Sequence, residues 1–434
     1  MNAHQYVQDC LNFIDTSPSP WHVIATLEQR LQAVEFQRLD EKDFWSLTAG
    51  GRYYVVRDDS SIIAFVAGSK DLTQNGFKIL GAHTDSPGLR LKPNPVLDGD
   101  SLLRLAVEVY GGPILATFTD RDLSLAGRVA YRTDTGKIAS RLVSFEQALL
   151  RLPNLAIHMN RAVNEEGLKL NKQTELPLIL ANTVAQQLPS DQWLSLLTTA
   201  SGLTADQILS WELNVYDSQK GAFWGENLAF YANSQLDNLA SCHAGTVALL
   251  DDASLNGGNT LVCAFFDHEE IGSESCKGAA GSFLPDVLER IALAQQLDKQ
   301  DYQRALANSL MISADMAHAY QPNFPNAYEP GHKILINHGP VIKINANHRY
   351  ATHCLSEAFF ADLCRQADIP VQKYSHRGDL PCGSTIGPIA SAKLGIPTVD
   401  VGNPMWAMHS ARESAGVYDH AYMIKALQLF FISA

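Results

Sequence analysis

The sequence is poor in cysteine and has no pair of cysteines at metal-binding spacing. Seven cysteines are scattered over 434 residues, an odd number without a CxxC pair. Neither a disulfide framework nor a zinc site made of thiolates is indicated. We expect reduced thiols, as in a cytoplasmic protein. The seven are Cys10, Cys242, Cys263, Cys276, Cys354, Cys364 and Cys382.

Long apolar runs and basic clusters are also missing. No stretch approaches the roughly 18 apolar residues of a membrane span, and the N-terminal segment MNAHQYVQDCLNFIDTS lacks a basic segment followed by an apolar core. We therefore expect no membrane attachment and no export. With 46 acidic against 33 basic residues the net charge is -13, and no Lys/Arg-rich run indicates a nucleic-acid partner. Acidic clusters can bind cations instead.

The length predicts more than one domain, because 434 residues exceed the size at which a single core usually stops growing. From about Leu91 the sequence changes to short segments in which apolar and polar residues alternate, separated by glycine and proline. This pattern is typical of antiparallel β-structure. We predict an inserted β-rich domain at residues 92–226. Residues 1–91 and 227–434 would form a discontinuous α/β catalytic domain, with a mixed central sheet flanked by helices.

The stretch LVCAFFDHEEIGSES, residues 261–275, leads an apolar run directly into two adjacent carboxylates. Leu261–Phe266 is typical of a buried strand. Burying Glu269 and Glu270 without partners just beyond it would be unfavourable, so we expect a cation there. Adjacent side chains point in different directions, which predicts one metal ligand and one free base.

Other predicted strands also end in histidine or carboxylate residues. Because parallel sheets bind ligands at the carboxyl ends of their strands, we expect these side chains to converge. A ligand set of nitrogen and oxygen without sulfur suits zinc, cobalt or manganese, and a pair of ions bridged by one carboxylate recurs in hydrolases. Each residue alone has an ordinary explanation, such as a helix N-cap for Asp237, so the prediction depends on the whole set. The set is His83, Asp85, Asp237, Glu269, Glu270, Asp315 and His409.

Seven segments of the chain resemble the aspartyl aminopeptidases, which belong to the co-catalytic dinuclear zinc aminopeptidases. They are GAHTDSPG, SQLDNLAS, DHEEIGSES, SADMAHA, NANHRYAT, PCGSTIGPI and AMHSARE, in the family's order between Gly81 and Glu413. The resemblance implies that His83 and Asp315 hold one metal, that Glu270 and His409 hold the other, and that Asp237 bridges them. It implies that Glu269 is the general base for a water bridging the ions, and that Asp85 fixes the ring of His83.

The resemblance also implies a substrate and an assembly. Peptides with N-terminal Asp or Glu would be cleaved, with Lys343 pairing with the acidic side chain. His158 would reach the active site of a neighbouring subunit, so residues 92–226 would serve as a dimerisation domain within a dodecamer of dimers. His318 and Tyr350 are further candidates for substrate contact. Two departures from the family pattern are His348 and Trp406, and Trp406 could reshape the pocket lip.

Other functions stay open at this point. A dinuclear aminopeptidase that prefers neutral residues, or a deacylase of N-acyl amino acids, would use similar ligands. A metal-stabilised assembly or cargo-binding shell with little catalysis is a third possibility. Glu269 argues against that third possibility, because a structural metal needs no base.

Overall fold

The computed structural model describes residues 1–433, which form twelve α-helices and twenty strands. The helices are α1 (Ala3–Asp15), α2 (Pro20–Gln32), α3 (Leu72–Asn75), α4 (Val163–Glu166), α5 (Pro189–Ser201), α6 (Leu236–Leu249), α7 (Asp252–Asn256), α8 (Phe283–Ala294), α9 (Lys299–Ala307), α10 (Cys354–Gln366), α11 (Ile386–Leu394) and α12 (Val417–Ile432). The strands are β1 (Gln37–Leu39), β2 (Arg52–Arg57), β3 (Ser61–Val66), β4 (Phe77–His83), β5 (Gly88–Gly99), β6 (Leu102–Tyr110), β7 (Leu123–Arg132), β8 (Ile138–Ser144), β9 (Leu178–Asn182), β10 (Ile208–Asp217), β11 (Ala222–Trp224), β12 (Phe230–Asn233), β13 (Thr260–Phe266), β14 (Leu310–Ala314), β15 (Ala317–His318), β16 (Val341–Ile344), β17 (Gln372–Ser375), β18 (Thr398–Gly402), β19 (Pro404–Trp406) and β20 (Glu413–Gly416).

A mixed sheet of nine strands forms the centre of the molecule, in the order β1-β2-β3-β13-β4-β14-β18-β16-β17. Strands β13, β4, β14 and β18 run parallel to one another in its middle. Every residue of β4 and β13 is buried, which explains why their sequences are largely apolar rather than alternating between apolar and polar residues. The predicted α/β class with a mixed central sheet is confirmed.

Helices cover both faces of this sheet. Along β13, Leu261, Cys263 and Phe265 pack with α1, α2, α6, α10 and α12 on one face. Val262, Ala264 and Phe266 pack with α8, α9 and α11 on the other. The two-residue period of a strand thus divides one apolar run between two cores.

A second sheet of six strands, β8-β7-β10-β5-β6-β9, lies between Gly88 and Asp217, and all its neighbours are antiparallel. It packs with α5 around a separate apolar cluster. Strand β5 crosses residues 91 and 92, and the division of the chain at 91/92 and 226/227 stays a prediction. A third sheet, β11-β12-β20-β19-β15, was not predicted.

Two further features bear on the sequence predictions. All seven cysteines carry free thiols. Within residues 1–433, none of the helices combines the length and apolar character that crossing a membrane requires.

Candidate active site

The parallel strands of the central sheet bring His83, Asp315 and the two glutamates to one edge. Asp237 and His409 reach the same place from segments that follow β12 and β19 of the third sheet. Strand β4 ends at His83 and lies beside β13, with His83 paired to Phe266. Strand β14 ends one residue before Asp315. Because parallel strands end at the same edge, residues far apart in sequence meet there.

A short turn after β13 carries the two glutamates. His268 adopts a left-handed conformation with φ of 68°, and a 3-10 turn follows over Glu269–Ile271. The buried carboxylate of Asp85 accepts hydrogen bonds from the backbone N–H groups of Glu269 and Glu270, each at 3.1 Å. The turn is therefore fixed by a side chain from the end of β4, not only by its own sequence.

The first half of the site surrounds the ring of His83. Its Nε2 lies 3.4 Å from Oδ1 of Asp237 and 3.7 Å from Oδ1 of Asp315. Its Nδ1 lies 3.0 Å from the backbone oxygen of Asp85 and 3.4 Å from the carboxylate of the same residue. Asp85 thus orients the ring mainly through its carbonyl, which leaves Nε2 facing the carboxylates.

The second half of the site surrounds the ring of His409. Its Nε2 lies 3.5 Å from Oδ2 of Asp237 and 3.5 Å from Oε2 of Glu270. The two oxygens of Asp237 therefore face different histidines, Oδ1 toward His83 and Oδ2 toward His409. This is the geometry that a bridging carboxylate requires.

The electrostatics of the site call for additional positive charge. Burial raises the pKa of Glu269 to about 8 and raises the pKa of Glu270 well above its usual range, with Asp237 adding to the effect on Glu270. Although burial favours the neutral ring, the hydrogen bond to Asp237 raises the pKa of His409 to about 9. Crowded carboxylates of this kind are stabilised by a cation.

The donor set fits divalent metal ions. Oδ1 of Asp237 is buried and has no hydrogen-bond partner among the described residues. Two groups of side chains place potential ligand atoms within 4.8 Å of one another: His83 with Asp237 and Glu270, and His83 with Glu269 and Asp315. Imidazole and carboxylate ligands without sulfur suit zinc.

An open pocket with an empty volume of about 1040 Å³ leads to this cluster. Lys343 lines it and is buried, with Nζ 3.4 Å from Oδ2 of Asp315 and 3.0 Å from the carbonyl of Met316. His318 and Tyr350 also line the pocket, and their contact with substrate stays a prediction. Burial lowers the pKa of His318 to about 4, so its ring is neutral at physiological pH.

Comparison with known proteins identifies the family. The model of a peptidase family described as aminopeptidase I zinc metalloprotease (M18) matches residues 13–431. This chain belongs to the peptidase M18 family. A probable M18 family aminopeptidase 2 of Pseudomonas paraeruginosa (strain DSM 24068 / PA7) is 48% identical over 430 residues, covering 98% of both chains. The M18 peptidase described here is accordingly a zinc-dependent aminopeptidase.

Solved structures agree with this assignment. The chain of a cryo-EM structure of the Ape4 and Nbr1 complex matches with a TM-score of 0.95 at 38% identity, covering 99% of this chain and 86% of that one. The S. cerevisiae mApe1 dodecamer matches with a TM-score of 0.85 at 27% identity, covering 98% and 96%. The M18 peptidase therefore shares its fold along nearly its whole length with these structures.

His158 of the M18 peptidase is the one predicted site residue that lies outside this cluster. It is exposed in a turn between β8 and β9, close to the exposed Leu155, Ile157 and Met159. It does not line the pocket of its own chain. Its role across subunits stays a prediction.

Sequence reasoning missed two side chains that hold the site. The buried carboxylate of Glu413 accepts from the backbone N–H of Asp237 at 3.0 Å and from that of His409 at 2.6 Å. The hydroxyl of Tyr110 donates to Oδ2 of Asp85 at 2.6 Å. The position of Glu413 four residues after His409 was the only feature of the sequence that could have indicated its supporting role. No feature of the sequence indicated such a role for Tyr110.

Proposed function

We propose that this M18 peptidase removes N-terminal Asp or Glu from peptides. The observation that carries the proposal is the position of Lys343, a buried ammonium on the pocket wall with Nζ 3.4 Å from Asp315. A substrate carboxylate entering the pocket would find a cation from which water is largely excluded. A neutral side chain would leave that cation without a substrate partner.

The proposal includes two divalent ions, with zinc favoured and cobalt or manganese as alternatives. His83 and Asp315 would hold one, Glu270 and His409 the other, and Asp237 both. Support comes from the two carboxylate oxygens of Asp237: Oδ1 lies 3.4 Å from Nε2 of His83, and Oδ2 lies 3.5 Å from Nε2 of His409. Ions at these positions would polarise the scissile carbonyl and acidify the attacking water.

Glu269 is the proton carrier in this proposal. Its carboxylate lies 4.0 Å from Nε2 of His83, at the border between the ligand cluster and the pocket. It would accept a proton from the attacking water and return it to the leaving amine. Burial raises the pKa of Glu269, and the positive charge of bound ions would lower it again, so that the carboxylate would be ionised and able to accept a proton near neutral pH.

The proposal extends to the assembly. A dodecamer is described for one structural relative of this chain, and we expect dimers of this chain to assemble in the same way through residues 92–226. The exposed His158 would then reach the pocket of a neighbouring subunit, where its imidazole could donate to the oxyanion of the tetrahedral intermediate. Free thiols at all seven cysteines are consistent with a cytoplasmic location.

Chelation combined with a substrate panel tests the proposal. Aspartyl and glutamyl peptides should be cleaved much faster than leucyl peptides or N-acetylated aspartyl peptides. Activity should disappear after metal removal and return with zinc. Preference for leucyl peptides would favour a neutral aminopeptidase, cleavage of the N-acetyl group would favour a deacylase, and unchanged turnover in metal-free protein would contradict the metal mechanism. Absence of turnover on the whole panel, with zinc bound, would favour an assembly or cargo-binding role.

A further inference from the structure

The six-stranded sheet contacts the active site through the end of β6. Tyr110 is the last residue of this strand, and its hydroxyl lies 2.6 Å from Oδ2 of Asp85. Tyr110 is 6% exposed and Asp85 is fully buried. Burial raises the pKa of the Tyr110 hydroxyl, which keeps it protonated and able to donate. A hydrogen bond to a charged group in such surroundings is one of the stronger kinds.

Asp85 connects this hydrogen bond to three parts of the site. Its carboxylate accepts from the backbone N–H groups of Glu269 and Glu270, each at 3.1 Å. Its backbone oxygen and its carboxylate face Nδ1 of His83 at 3.0 and 3.4 Å. A rotation of this carboxylate would therefore shift the turn that carries both glutamates. It would also remove the 3.4 Å contact with Nδ1 of His83, whose ring keeps its closer contact with the backbone oxygen.

Tyr110 is itself held firmly. The guanidinium of Arg90, on the neighbouring strand β5, lies 3.7 Å from the centre of the Tyr110 ring. Such a cation over an aromatic face is attractive. The next residue, Gly111, has φ of 65°, and a Cβ added there would lie 3.1 Å from Cβ of Glu270. The end of β6 thus approaches the site at two adjacent residues.

We propose that Tyr110 is a positioning residue of the metal centre, acting through Asp85 on His83, Glu269 and Glu270. The six-stranded sheet is on this basis a structural part of the active site. The inference rests on the proposed metal centre and not on the preference for acidic substrates.

The test compares Tyr110→Phe with Tyr216→Phe. Tyr216 lies on β10 of the same sheet, and its hydroxyl also donates a 2.6 Å hydrogen bond, but to the backbone oxygen of Phe145. Each variant loses one hydroxyl and one hydrogen bond of equal length, so general loosening of the sheet is matched. Zinc affinity of the metal-free full-length protein is measured by competition with a chromogenic chelator. The absorption spectrum of the cobalt-loaded protein and kcat and KM are measured alongside.

We expect Tyr110→Phe to bind zinc about tenfold more weakly than Tyr216→Phe. This is the lower end of the range of losses, roughly 10- to 100-fold, that follow when a group behind the metal ligands is removed. Its cobalt spectrum should change, and kcat should fall while KM stays nearly constant. Equal zinc affinity in the two variants, whether both unchanged or both weakened, would overturn the inference. Absence of zinc binding by the unmodified protein would overturn the proposed metal centre as well, so the two failures are distinguishable.

Discussion

We expect different roles for the two adjacent glutamates, with Glu269 as the general base and Glu270 as a metal ligand. In Glu269→Gln we expect kcat to fall by roughly 10²- to 10⁴-fold, the usual contribution of a general base, while zinc content is retained. The matched variant Glu270→Gln should lose zinc, because its carboxylate lies 3.5 Å from His409 on the side of the proposed second ion. Kinetics and metal analysis of both variants check this.

Glu269 could also be a metal ligand instead of the base, because potential ligand atoms of Glu269, His83 and Asp315 lie within 4.8 Å of one another. Near-normal turnover in Glu269→Gln would show that it is not the base. Loss of one zinc from this variant would show that it is a ligand.

Lys343 should decide substrate preference. Replacing it with Leu removes the buried ammonium from the pocket wall, and a hydrogen bond to a charged group is worth about 1.5–3 kcal/mol. We expect kcat/KM for aspartyl and glutamyl peptides to fall roughly 10- to 150-fold relative to leucyl peptides. The values of kcat/KM across such a panel provide the measurement.

Arg349→Leu is the control for Lys343→Leu, because Arg349 is the arginine that lines the same pocket. It should change the preference less than Lys343→Leu does. Metal content is measured in both variants, since Nζ of Lys343 also contacts Asp315. Equal losses on acidic and neutral substrates would contradict the specificity role.

At the scale of elements, the close packing of strand ends fixes the ligands. A Cβ added at Gly402, the last residue of β18, would lie 1.9 Å from the backbone oxygen of Asp315. We therefore expect Gly402→Ala to displace Asp315, to cost about 1–3 kcal/mol of unfolding free energy and to weaken zinc binding. Thermal unfolding and metal analysis check this.

Gly378→Ala is the matched control, because a Cβ there meets nothing within 4 Å. It should leave both the unfolding temperature and the zinc content unchanged. If Gly402→Ala behaved in the same way, the rigidity of this strand end would not be what holds Asp315.

Elements with long apolar runs could be predicted from the sequence, and short elements could not. The predicted strand Leu261–Phe266 corresponds to β13, Thr260–Phe266. The third sheet was missed because its strands have only two to four residues each. Segments of that length show no periodicity, so their pairing depends on packing.

At the scale of the whole molecule, the role of His158 can be tested by mixing two defective chains. We expect His158→Ala and Glu269→Gln to be weakly active alone. In randomly mixed oligomers, a subunit with Glu269 meets a neighbour with His158 at roughly a quarter of the sites. Coexpression of the two variants should therefore restore about that fraction of activity.

A blend of the two variants purified separately is the control for this experiment. It should show only the weak activity of its two components, with analysis of the oligomers checking that subunits have not exchanged. If His158 acted within its own chain, every active site in the mixed oligomers would lack either His158 or Glu269. Absence of recovery in verified mixed oligomers would therefore contradict the role across subunits.

The sequence by itself predicted a set of residues that would meet at one site. Apolar runs lead to His83, Glu270 and Asp315, and parallel strands must bring such ends to one edge. Asp237 and His409 follow short strands of the third sheet, whose position the sequence did not predict. Only the tertiary structure decided how these residues are held. It places the two oxygens of Asp237 toward different histidines, supports the site through Glu413 and Tyr110, and buries Lys343. The physical reason is that apolar runs and strand direction are local properties of the chain. Distances of a few ångströms between residues hundreds of positions apart depend on the packing of whole sheets.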